Sequence, residues 1–129
     1  MASLFSRRTA AIYLRIQGTL VVGWWLLLLL SPEERARFKA ADHPDSALLA
    51  FWLGDLVIVA AGSLLAAHWL VRGSPRAAGT LWFLSGGISF GTLYCVALSM
   101  LTGQALVGCV LMVPAALVTL SIAGQHAKP

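Results

Sequence analysis

Between Ala77 and Ala127 the chain contains no aspartate, glutamate, lysine or arginine. The shortage is general: charged residues are 11% of the 129 residues, against 59% hydrophobic. A soluble domain carries about 25% charge, so a water-soluble globular domain is excluded and a bilayer protein is indicated. Cysteine is also scarce. Cys95 and Cys109 stand alone, without the close spacing that announces redox relays and metal sites, and both read as small apolar core residues. There is no His/Glu metal motif, no internal repeat and no low-complexity segment beyond the leucines of 26–30, which read as plain lipid-facing helix. No cofactor and no metal are therefore expected.

What the chain does have is length and hydropathy, with a mean hydropathy of +0.83. The charge-free stretch is long enough for two helices of about 20 residues each, separated by the polar break Thr102-Gly103-Gln104. Four spans are predicted, at about 10–30, 47–71, 77–101 and 105–124. Backbone polar groups in lipid must be satisfied within each helix. The expected fold is all-α, a single integral membrane four-helix bundle over 1–129.

The net charge of +4 raises the question of nucleic acid, and the positions of the charges answer it. Arg7, Arg8, Arg15, Arg72, Arg76 and Lys128 fall at one end of the four-span arrangement, and Arg35, Arg37 and Lys39 at the other. The acids outside the spans, Glu33, Glu34, Asp42 and Asp45, all share the second end. The positive-inside rule puts both termini in the cytoplasm. These arginines are topology and headgroup anchors, and no nucleic-acid partner is expected. Arg7-Arg8 precede the first span as they would a signal peptide, but the apolar region exceeds the roughly 7–15 residues of a signal core. It reads as a retained anchor in a bacterial-type inner membrane; the acid-free start MASLFSRR leaves an organellar address as the other reading.

The segment 31–46 is the one long connection. Ser31-Pro32 with Glu34 predicts a helix start with a capping box, and Ala36 and Phe38 suit a short helix on the membrane surface. Pro44 stops it, and Asp45 or Ser46 is the expected cap of the second span. Asp42, His43 and Asp45 offer ligand types that suit divalent metals. Polar residues flanking a proline also make an ordinary turn, and that is the reading preferred.

Asp55 is the single carboxylate inside a span, within FWLGDLVIVAAG. Helical spacing puts Phe51, Asp55, Val59, Gly62 and Ala66 on one face. Small residues mark helix contacts in membranes, so Asp55 is expected to point into the bundle. Eight residues of rise place it about 12 Å below the loop end of its span. The same depth falls at Val22 to Trp24 on the first span, Thr92 to Tyr94 on the third and Val113 to Pro114 on the fourth. Pro114 leaves the Val110 carbonyl without its usual donor. On the third span Ser85, Ser89, Thr92 and Ser99 form a polar stripe beside the pair Gly87 and Gly91. The stripe admits tight packing or the lining of a small cavity. Gln17 is expected to hydrogen-bond within the bundle and Arg15 to snorkel to headgroups. His68 reads as interfacial, and Trp24, Trp25, Trp52, Trp69 and Trp82 as anchoring belts.

The candidate ligand-binding residues are thus Asp55, Trp24, Thr92, Tyr94, Ser89, Gln17 and Pro114, with Asp55 the one catalytic candidate. An ionisable residue inside a span points to function. Three classes compete. One is a small membrane protein binding an apolar molecule, or docking a membrane-protein partner or second copy, around Asp55. A second is an intramembrane enzyme using Asp55 as an acid on a lipid or isoprenoid. A third is a proton-coupled small-solute transporter. The enzyme class lacks a second convincing acid or base within the spans.

Overall fold

The computed structural model describes residues 5–126; Lys128 and the first four residues of the MASLFSRR segment lie outside them. The described residues are mostly helical, with no strand among them. Helix α1 runs from Arg7 to Leu30, a short α2 from Pro32 to Arg37, and α3 from Asp45 to Val71. They are followed by α4 (Arg76–Thr102) and α5 (Leu106–His126). The four helices α1, α3, α4 and α5 are long and apolar enough to cross a membrane.

Local chemistry sets the ends. Ser6 caps α1 by accepting the Thr9 N–H at 3.1 Å. Ser31 acts twice: its N–H donates to the Leu27 carbonyl to close α1, and its hydroxyl accepts the Glu34 N–H at 3.4 Å to open α2. The capping box is consequently one-sided, because the Ser31 N–H that Glu34 would return to is already in use. The second long helix begins earlier than its apolar run. Pro44 takes the cap position without a side-chain bond, and Asp45 does not cap. Its carboxylate is held instead by Arg35 at 2.7 Å and Lys39 at 3.0 Å. Gly103, in the left-handed region at φ +66, ends α4 by donating its N–H to the Ser99 carbonyl. Ala105, at φ +59, enters the same region without being glycine, at about 1–2 kcal/mol.

Each long helix packs on the next, α1 on α3, α3 on α4 and α4 on α5, while α1 and α5 barely meet. Close approach is bought by missing side chains: a Cβ on Gly18 would stand 2.9 Å from the Ala60 carbonyl, and one on Gly87 would collide with Ile58. Gly87 and Gly91 therefore do not serve one partner. Gly87 meets α3, whereas Gly91 looks toward Met112 of α5. The polar stripe of α4 faces α5: Ser85 donates to the Thr119 carbonyl, Thr92 to the Met112 carbonyl, and Ser99 pairs with Cys109. It acts as packing along that seam.

The contiguous apolar core lies in one half of the bundle, with Trp25, Leu28 and Ala40 buried apart from it. Ala10, Leu14, Ala67, Leu70, Leu81, Leu84, Ile122 and Ala123 fill the half nearest the chain termini. The half nearest the loop is hollow.

Candidate functional site

The hollow is a cavity of about 840 Å³, walled by all four long helices and roofed by the loop after α2. Asp55 lies on its wall because of an irregularity in α3. The helix turns at Ala50–Phe51, resumes at Trp52–Gly54, and then runs as a π-helix over Asp55–Ala61 before returning to α-helix at Gly62–Val71. Such wide turns recur at functional sites. Here the wide turn begins at the carboxylate itself.

The Asp55 Oδ2 accepts a hydrogen bond from the Trp25 indole Nε1–H at 3.0 Å. Trp25 is 2% exposed, so the donor is held in place. The level drawn from sequence names Trp24 instead. Rise fixes depth along a helix, but one residue turns the side chain by about 100°, and it is Trp25 that faces α3. Trp24 packs edge-on against Phe38 of the loop, with ring centroids 4.1 Å apart. It still lines the cavity, as does Tyr94, whose ring packs on Phe51 at 4.9 Å. Cys95 completes this wall, with its Sγ 3.3 Å from the Met112 sulfur.

Three of the candidate ligand-binding residues lie off the cavity wall. Thr92 is buried and donates to the Ile88 carbonyl of its own helix at 2.8 Å. Ser89 lies off the cavity wall, with its hydroxyl buried and unpartnered. Pro114 is on the exposed side of α5. Thr92 and Pro114 match Asp55 in depth at most, not in direction.

The floor is a polar girdle. Gln17 donates through Nε2 to Ser63 Oγ at 2.9 Å, and its Oε1 accepts from Thr119 at 3.2 Å. Tyr13 donates to the Ala115 carbonyl at 3.5 Å. Gln17 thus joins α1, α3 and α5 at one point. Its role in the bundle was readable from its depth; its partners Ser63 and Thr119 were not, since a lone hydroxyl on an apolar helix carries no signal of its own.

The roof is tied down by charge. Arg35 reaches back to the Leu28 and Leu29 carbonyls at 2.8 and 3.3 Å as well as to Asp45. Lys39 bonds the His43 carbonyl at 2.7 Å, and Ala41 N–H donates to Gln104 Oε1 at 2.6 Å. Asp42 pairs with the His43 Nδ1 at 3.1 Å, and this bond holds the Asp42 carboxyl below the usual carboxylate range. Asp42 and Asp45 thus serve different partners, and no three metal-ligating side chains converge among the described residues. Arg15 is exposed and makes no ion pair with Asp55. His68 is exposed beside Trp69, over which Arg76 stacks at 5.3 Å.

Fold and site together define a bundle of apolar helices, solid at one end and hollow at the other, with a carboxyl–indole pair on the hollow wall. Comparison of the chain with family models, with curated proteins and with solved structures finds no match.

Proposed function

We propose that this chain is an integral membrane protein that holds a small apolar molecule in the cavity beside Asp55. Both termini lie in the cytoplasm and the 31–46 loop outside, as its basic residues require; a bacterial-type inner membrane suits this asymmetry. The observation that carries the reading is the cavity itself. Its 840 Å³ fall within the roughly 300–1,000 Å³ of small-molecule sites. Its walls are mostly apolar, and one carboxyl with a buried indole donor supplies a fixed polar contact.

Binding is preferred over catalysis because the two basic side chains on the cavity wall are committed. Lys39 is engaged by Asp45 and the His43 carbonyl, and the His43 ring by Asp42. Asp55 is left without a free basic side chain against which to work.

The test is retention. Protein extracted with its native lipids is analysed by mass spectrometry for small molecules that accompany wild type but not Asp55→Ala. A molecule enriched in wild type supports the reading. Identical small-molecule profiles in the two proteins would overturn it.

A further inference from the structure

The cavity has four sides, a floor and a roof, and all but one of these are closed. At the floor, Gln17 is hydrogen-bonded to both Ser63 and Thr119. At the roof, Arg35, Lys39 and Asp45 hold the loop, and Phe38 packs on Trp24. The α1–α3 seam is closed by the approach of Gly18 to Ala60 and by the Trp25–Asp55 bond. Gly87 against Ile58 closes α3–α4, and the serine and threonine bonds close α4–α5.

The α1–α5 seam is different. The two helices are joined near the termini, where His126 contacts the Phe5 carbonyl, and again at Tyr13–Ala115 and Gln17–Thr119. Above that level no hydrogen bond joins them among the described residues until Ala41 meets Gln104 at the roof. Between these two ties the cavity wall is made of apolar side chains that also face outward. Leu20 is 65% exposed, Leu27 45% and Leu111 52%. Gly23, also on this wall, has nothing within 4 Å of where its Cβ would stand.

Resting on the binding reading above, we infer that this gap is a lateral portal, through which a lipophile dissolved in the bilayer enters the cavity without passing through water. The apolar rim suits a molecule that already resides among lipid tails, because neither rim nor molecule exchanges water on entry. A water-borne solute would instead meet the tied roof. The ligand class is therefore a membrane-partitioned single molecule small enough for the cavity, with one polar group to meet Asp55.

The test uses Trp25 as its reporter, in a protein with Trp24, Trp52, Trp69 and Trp82 replaced by phenylalanine and reconstituted in phosphatidylcholine vesicles. A brominated long-chain alcohol is expected to quench Trp25, while brominated phosphatidylcholine, too large for the cavity, leaves it bright. Gly23→Phe places a ring at the gap, where a Cβ meets nothing within 4 Å, and should abolish quenching by the alcohol; Gly23→Ala should preserve it. Arg35→Ala, which loosens the roof, should change nothing. Quenching that survives Gly23→Phe but accelerates in Arg35→Ala would place entry at the loop end and overturn the portal while leaving the cavity reading intact. No quenching of the parent protein would remove both. If a helix of a second copy fills the seam, the alcohol is excluded and Gly23→Phe shifts the oligomeric mass, which also overturns the portal.

Discussion

Trp25 on α1 and Asp55 on α3, thirty residues apart in sequence, meet through one hydrogen bond of 3.0 Å at the point where α3 widens into its π segment. The bond fixes the carboxyl on the cavity wall and ties the loop-end halves of the two helices together. Asp55 forms no ion pair among the described residues, so the indole is its principal anchor.

A double-mutant cycle measures that anchor. Trp25→Phe removes the donor and Asp55→Leu the acceptor, and the coupling between them should be about 0.6–1.5 kcal/mol by equilibrium unfolding in mixed micelles. Asp55→Asn keeps an acceptor and should leave the fold intact while lowering ligand retention. Strictly additive single effects would mean that the two side chains are neighbours without being partners.

The girdle beneath the cavity should matter more to stability than to binding. Gln17→Leu leaves the Ser63 hydroxyl, fully buried, without its donor, at a cost of about 1–3 kcal/mol. Thr119→Val should do less harm, because Gln17 retains its bond to Ser63. A larger loss for Thr119→Val would reverse the order proposed for these contacts.

Glycines that look alike in sequence should behave differently. At Gly18 an alanine Cβ would meet a backbone oxygen, which cannot swing aside, at 2.9 Å. Overpacking of this kind costs about 1–3 kcal/mol. At Gly91 the nearest atom is the free end of Met112, at 3.1 Å, and Gly91→Ala should be tolerated. Thermal unfolding in detergent separates the two, and equal melting temperatures would contradict the packing.

Topology is open to a direct check. Reporter fusions at Pro129 and near Ala41 should give opposite signals, with Pro129 cytoplasmic. Matching signals would rule out four crossings.

Much of this was legible because it is written in composition. A charge-free segment interrupted by Thr102-Gly103-Gln104 can scarcely be anything but two apolar helices, and α4 and α5 lie there. The helix after Ser31-Pro32 follows from a hydroxyl and a proline at the right positions. Less legible was the direction in which side chains point. Depth alone groups Trp24, Thr92 and Pro114 with Asp55, and depth carries no angle. The angle depends on how α1 and α5 are rotated by their packing at Gly18, Gln17 and Thr119, contacts between residues far apart in the chain. Asp45 misled for another reason: a carboxylate beside a proline resembles a cap, yet Arg35 and Lys39 offer it charge where the cap position offers only an amide.

The π segment makes chain length part of the site. Each i→i+5 turn holds one residue more than an α-turn, so Asp55–Ala61 stores a residue that an unbroken helix would not need. In an ordinary helix, removing one residue rotates one flank against the other by about 100°, and one set of contacts is lost without compensation. Here the deletion of Val57, an outward residue 58% exposed, has somewhere to be absorbed: the segment can close into regular α-helix. The flank carrying Ser63 would keep its grip on Gln17, and the flank that ends at Asp55 would keep its bond to Trp25. The shortened protein should insert and melt much as wild type does, whereas deleting one outward residue from the regular helix of α4 should lower the melting temperature. One residue can thus be lost between Asp55 and Ala61 while both flanks stay in register, which makes the wide turn a reserve of chain length inside α3.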